Sequence, residues 1–160
     1  MGDWTAFLQV QAGASASLLG LVFVGLSINF TRIIDSSHLP NRALEALIIL
    51  LLNLVVASLL LVPGQAAPML GNEVLGLALL VWIWVTYLHV QNLRRMEARH
   101  RPRSLWGLSL GQITILSWCA GGLMLLTRGA MGLAWLVPCF LLGYLLALLN
   151  AWVLLVEINR

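Results

Sequence analysis

Apolar residues run almost without interruption along this chain, and the polar ones arrive in short clusters that cut the run into helix-length pieces. A helix that crosses a bilayer needs about 20 mostly apolar residues. Five stretches reach that length, at about 7–30, 43–62, 73–93, 105–126 and 130–156. Breaker chemistry separates them: Asp35-Ser36-Ser37-His38-Leu39-Pro40-Asn41, then Pro63-Gly64-Gln65-Ala66-Ala67-Pro68, then an arginine-rich loop, then Thr127-Arg128-Gly129. Asn41 is placed to cap the second helix and Asn72-Glu73 to open the third. The last two stretches together hold roughly 50 residues, too long for one crossing at about 1.5 Å rise per residue, so a tight hairpin is predicted at Arg128-Gly129. The prediction is an all-α integral membrane bundle of five transmembrane helices, forming one domain over 1–160.

Composition strengthens that reading. The chain is 61% hydrophobic and 9% charged, with a mean hydropathy of +0.95. Soluble domains carry about 25% charged residues, so lipid is the expected solvent for most of this surface. There are nine basic residues, all arginine. Arg94, Arg95, Arg99, Arg101 and Arg103 fall in one loop, a basic cluster suited to anionic lipid headgroups and not to nucleic acid. Cytoplasmic loops are the arginine-rich ones. Placing that loop inside also places Arg32, Arg42 and Arg160 inside and leaves Arg128 outside. The N-terminus is then outside and the C-terminus cytoplasmic. The opening Met1-Gly2-Asp3-Trp4 lacks the basic region of a cleavable signal, and Ala6 stands where myristoylation needs Ser or Thr. Trp4, Tyr87, Trp106 and Trp135 suit interfacial anchoring, whereas Trp82 and Trp84 lie deep in the third span, where packing is the expected role.

Small residues mark faces for close helix approach, the main source of association in lipid. Ala12, Ala16 and Gly20 repeat every fourth residue, Gly107 and Gly111 form a GxxxG, and Cys139, Gly143, Ala147 and Ala151 make a ladder. Such faces serve the bundle or a second copy of the chain. Gln11, Ser15, Leu18, Val22, Gly25 and Asn29 share one stripe of the first helix. That stripe is either a helix–helix seam or, in a ring of copies, a pore lining with polar mouths and an apolar waist. Pro138 removes a backbone donor inside the fifth span and predicts a kink. Cys119 and Cys139 fall at similar depth across the predicted hairpin, as small apolar fillers or as a pair.

The candidate chemistry is amide-rich. Asn29, Glu45, His89, Gln112 and Asn150 come to similar depths in the cytoplasmic half on different helices, and Asn53 lies near the bilayer centre. A polar cluster of the first five is predicted, either as interhelical hydrogen-bond glue or as a cavity open to the cytoplasm. No metal-ligand spacing and no phosphate-binding glycine loop occurs, so the sequence calls for no metal and no cofactor, and it offers no catalytic residue. With no acidic residue at mid-helix, a proton-driven transporter lacks support.

Gly20-Leu21-Val22-Phe23-Val24-Gly25-Leu26-Ser27 resembles the opening helix of small uncharacterised bacterial polytopic membrane proteins reading Gly-Leu-Leu-Phe-Val-Ala-Leu-Ser, and Leu39-Pro40-Asn41-Arg42-Ala43-Leu44-Glu45-Ala46 resembles the start of their second helix. The resemblance covers the first third of the chain. It implies a multi-pass protein of the bacterial inner membrane and carries over no site. The expected function is a non-enzymatic, self-associating inner-membrane protein able to form a pore. The alternatives are an accessory subunit docking on a larger membrane complex and a lipid-modifying enzyme. The last would need Glu45, His89 and Glu157 in one cavity.

Overall fold

The computed structural model describes residues 2–35, 39–95 and 101–158, with the side chains of 4–35, 39–91 and 109–156. Of the five clustered arginines, Arg94 and Arg95 end one helix and Arg101 and Arg103 begin the next, so these four lie in helices and not in a loop; the side chains of all five, with Gly107, Glu157 and Arg160, lie outside the described side chains. All regular structure among the described residues is helical: α1 (Gly2–Ile28), the short α2 (Phe30–Ile34), α3 (Leu39–Leu60), α4 (Ala67–Arg95), α5 (Arg101–Arg128) and, after a 3-10 stretch over Gly129–Trp135, α6 (Leu136–Ile158). Four stretches are long and apolar enough to cross a membrane: Trp4–Ile28, Leu39–Leu60, Ala67–Gln91 and the 48 residues Ser109–Val156.

Several boundaries differ from those the sequence suggests. Asn41 and Asn72-Glu73 lie inside helices and do not open them. α3 starts at Leu39 and α4 at Ala67, so Pro40 and Pro68 both fall in a first turn, where a missing N–H costs nothing. Proline breaks a helix in its interior, but at these positions it starts one. Pro138 is likewise the third residue of α6, directly after the 3-10 stretch. The chain changes helix type just before Pro138 and needs no kink in the middle of a span.

Turn geometry falls to two glycines. Gly64 (φ 82°) and Gly129 (φ 60°) adopt the left-handed conformation that a side chain resists. Gly64 reverses the chain between α3 and α4, and Gly129 ends α5. Beyond Gly129 the chain doubles back along α5. A Cβ on Gly132 would lie 2.5 Å from Leu125 Cα, and one on Gly121 would lie 2.7 Å from Leu136 Cδ2. Cys139 Sγ lies 3.1 Å from Ser117 O. These pairings step in opposite senses along the two helices, so α5 and α6 form an antiparallel hairpin.

The same logic sets the rest of the bundle. α4 pairs antiparallel with α5, α3 with α6, and α3 also meets α4, which closes a four-helix ring in chain order. α1 lies outside it, along α3 and in slighter contact with α6. Burial follows: 56% of the best apolar window of α3 is buried, against 17% of that of α1. The core of the ring is Trp118, Phe140, Leu70, Val74, Leu125, Leu136 and Val56, all almost fully buried. Edge-on aromatic contacts link α5 to α6 to α1, Trp118 to Phe140 at 4.9 Å and Phe140 to Phe7 at 6.0 Å. At the other end, Ile33, Leu39, Ala43 and Leu154 pack with Leu26 and tie α2 to α3 and α6.

Close approach of α4 to α5 depends on glycine. A Cβ on Gly122 would lie 2.8 Å from Leu75 N and 3.0 Å from its Cα, which is backbone and cannot swing aside. Gly122→Ala should therefore destabilise the bundle by about 1–3 kcal/mol. Gly76→Ala, on the same helix pair with nothing within 4 Å, should be neutral or slightly stabilising. Reversible unfolding in mixed detergent checks both.

Candidate functional site: a four-helix polar network

Four of the five residues predicted to cluster do meet, and they meet through a single run of hydrogen bonds. His89 Nε2 lies 3.1 Å from Glu45 Oε1. Asn150 Nδ2 donates to Glu45 Oε2 at 3.3 Å. Gln112 Nε2 lies 3.2 Å from His89 Nδ1 and 3.2 Å from Thr86 Oγ1. Trp82 Nε1 donates to Gln112 Oε1 at 2.8 Å. The run passes from α4 to α5, back to α4, and then to α3 and α6. Glu45, His89 and Asn150 are 7%, 6% and 4% exposed, so water reaches none of them freely. Each sits roughly 9–12 Å along its helix from the end shared with the arginine loop, at 1.5 Å per residue.

The donor chemistry fixes the protons. An indole N–H can only donate, so Trp82 must face the Gln112 carbonyl oxygen. The Gln112 amide nitrogen then faces His89, and an amide nitrogen likewise only donates. His89 Nδ1 is therefore the acceptor. The imidazole proton is left on Nε2, where it donates to Glu45 Oε1. Glu45 accepts from His89 and Asn150 through different oxygens. The donors of Trp82, Gln112 and His89 run in sequence toward Glu45, and the Asn150 amide meets them there from the other side.

Gly111 makes room for it. A Cβ there would lie 2.6 Å from Glu45 Oε1 and 2.9 Å from His89 Cε1. Trp82, Thr86 and His89 belong to the network through their spacing, four and three residues apart on one face of α4. The face was legible in the sequence, but Trp82 and Thr86 were not read as part of it. The packing role expected for Trp82 and Trp84 is corrected: both are exposed on the outside of the bundle, at 37% and 56%, and Trp82 turns only its N–H edge inward.

Asn29 is the member the structure leaves out. It stands at the junction of α1 and α2 and donates to Gly25 O at 3.0 Å, within its own helix. Its amide closes the end of α1 instead of reaching across the bundle. Most of the rest of its stripe turns toward the protein, the exception being Gly25, which has nothing within 4 Å of where a Cβ would stand. Gln11 and Ser15 are buried, and Leu18, Val22, Gly25 and Asn29 are half-buried. Tyr144 on α6 donates to Gln11 O at 3.0 Å, so Ser15 Oγ, 2.9 Å away, must donate to the Tyr144 hydroxyl. The stripe is a seam within one chain.

Asn53 belongs elsewhere too. It is fully buried, lies over Gly143 and donates to Phe140 O at 3.3 Å. Cys119 and Cys139 are both free thiols, and Cys139 Sγ lies 3.1 Å from Ser117 O and from Trp135 O. Among the described residues no group of acidic, histidine or cysteine side chains is placed to hold a metal ion. No family model, no curated protein and no solved structure matches the chain.

Truncating Glu45 should strand the His89 and Asn150 donors in an apolar interior. Glu45→Ala is expected to lower stability by about 1–3 kcal/mol, while Asn29→Ala, which loses one bond at a half-exposed helix end, should stay within about 0.5 kcal/mol. Unfolding midpoints of both variants in the same detergent give the comparison.

Proposed function

We propose that this is a non-enzymatic multi-pass protein of the bacterial inner membrane that works by associating with copies of itself. In this reading the chain crosses five times, with the N-terminus outside and the C-terminus in the cytoplasm. The hairpin at Gly129 supports five crossings, because it divides the 48-residue apolar stretch into two antiparallel helices of span length. The arginine bias supports the orientation, and Arg94, Arg95, Arg99, Arg101 and Arg103 would lie against anionic headgroups of the inner leaflet.

The observation that carries self-association is the position of α1. It is held on one side only, and its other side presents Val10, Leu21, Phe23, Val24 and Ile28 to lipid. Gly13 and Gly20, between them, have nothing within 4 Å of where a Cβ would stand, and Ala16 is exposed. The four-residue repeat of Ala16 and Gly20 therefore does no work inside the monomer and is free for a second backbone to approach. A pore in this reading lies between copies, since the polar stripe of α1 is turned inward. An accessory subunit would use the same face for a different membrane protein.

One observation favours a second reading. Glu45 and His89 do converge, and an imidazole paired with a carboxylate is a general-base arrangement, as a lipid-modifying enzyme would need. Here, however, both imidazole nitrogens are already engaged, by Gln112 and by Glu45.

Mass measurement of the chain in lipid nanodiscs tests the proposal. A dimer or larger assembly is expected, weakened at least tenfold by Gly20→Leu with the unfolding midpoint of the monomer unchanged. A chain that stays monomeric at every protein-to-lipid ratio overturns self-association.

A further inference from the structure

We propose that the Glu45–His89 pair is a proton-binding site, and that the bound proton is reported at the lipid-facing edge of α4 by release of the Trp82 N–H. The inference rests on the membrane setting and orientation proposed above, and it deepens the role of the polar network.

As built, the network carries one negative charge. The Glu45 carboxylate receives neutral donors from His89 and Asn150. An isolated anion in an apolar interior costs several kcal/mol even after relaxation. Adding one proton brings the whole network to neutrality. The groups facing the pair are few. α3 supplies Glu45 and, one turn closer to its start, the half-buried Arg42; α4 supplies His89. α5 and α6 present the amides Gln112 and Asn150, with Cys119, Cys139 and Tyr144 farther toward the opposite end. Arg32 and Asp35, at α2, are exposed.

The proton has a defined first seat. His89 Nε2 already holds a proton, and a free imidazole nitrogen is more basic than a carboxylate oxygen by about two pKa units. The incoming proton, from cytoplasmic water, therefore forms an N–H bond at Nδ1. That N–H now points at the Gln112 amide nitrogen, 3.2 Å away, donor against donor. Turning the Gln112 amide by half a rotation relieves the conflict: Oε1 accepts from His89 Nδ1. Thr86 can follow, because a hydroxyl both donates and accepts. Trp82 cannot follow, because its indole has no acceptor. Its 2.8 Å hydrogen bond to Gln112 breaks. Proton occupancy of a buried pair thus becomes the bonding state of a side chain on the outer surface of the bundle, two turns along α4.

The test uses the full-length chain in nanodiscs with ¹⁵N-labelled tryptophan and histidine. Trp82→Phe identifies the Trp82 indole resonance. On lowering the pH from 8 to 5, His89 Nδ1 should gain one proton, and the Trp82 N–H resonance should move upfield with the same midpoint. Glu45→Gln should move that midpoint to an at least tenfold higher proton concentration, because the protonated imidazole loses its counter-charge; the wild-type titration decides the matter even if this variant does not fold. A His89 that keeps one proton throughout, a Trp82 signal that stays fixed while His89 titrates, or a proton that appears on Glu45 with Asn150 turning in place of Gln112 overturns the proposal. Failure of the orientation itself would show separately, as thiol labelling of a cysteine placed in the arginine loop from the periplasmic side of intact cells.

Discussion

An amide or a carboxylate inside a lipid-solvated bundle finds no water to bond with, and that constraint shapes this protein more than any apolar contact. Glu45 is its sharpest expression. The carboxylate sits on α3, the most buried helix, and can only remain there if neighbours on both sides supply donors. His89 from α4 and Asn150 from α6 do so. Each donor must in turn be satisfied, which recruits Gln112 and through it Trp82. The result pins four helices at one level and in one rotational setting, because a shift of one residue in any of them would strand a buried group.

Glycine supplies the other half of the arrangement. Apolar side chains are as comfortable against lipid tails as against each other, so helices in a membrane gain most where their backbones come close. Gly71 and Gly122 let α4 and α5 touch backbone to backbone, Gly111 seats the Glu45–His89 pair, and Gly143 lies under Asn53. Each of these is placed against a named neighbour. The glycines of α1 are not, since Gly13, Gly20 and Gly25 all face open space. The molecule thus divides into a ring whose small residues are spent on internal contact and an outlying helix whose small residues remain available.

That division separates two tasks. The ring holds a buried hydrogen-bond network with the Glu45–His89 contact at its centre. The outlying helix holds a lipid-facing surface suited to assembly, anchored to the ring by the Ser15–Tyr144 contact and by Phe7 against Phe140. Among the described members of the network, Trp82 is the exposed one.

The sequence alone determined that lipid is the solvent, that helices are the elements, and where the chain must turn at Gly64 and Gly129, because hydrophobic run length and glycine placement are local properties. It also placed Glu45, His89, Gln112 and Asn150 at a common depth, since depth follows from counting residues along each helix. Rotation about the helix axis is different. An almost uniformly apolar helix carries little periodic signal to say which side faces inward, so the sequence could not separate Asn29, which bonds its own backbone, from the amides that cross the bundle. For the same reason depth alone suggests packing for Trp82, and the stripe of α1 suits a seam or a pore. Only the tertiary structure shows what Asn29 and Trp82 bond to, because which face of a helix is inward depends on neighbours that are distant in sequence.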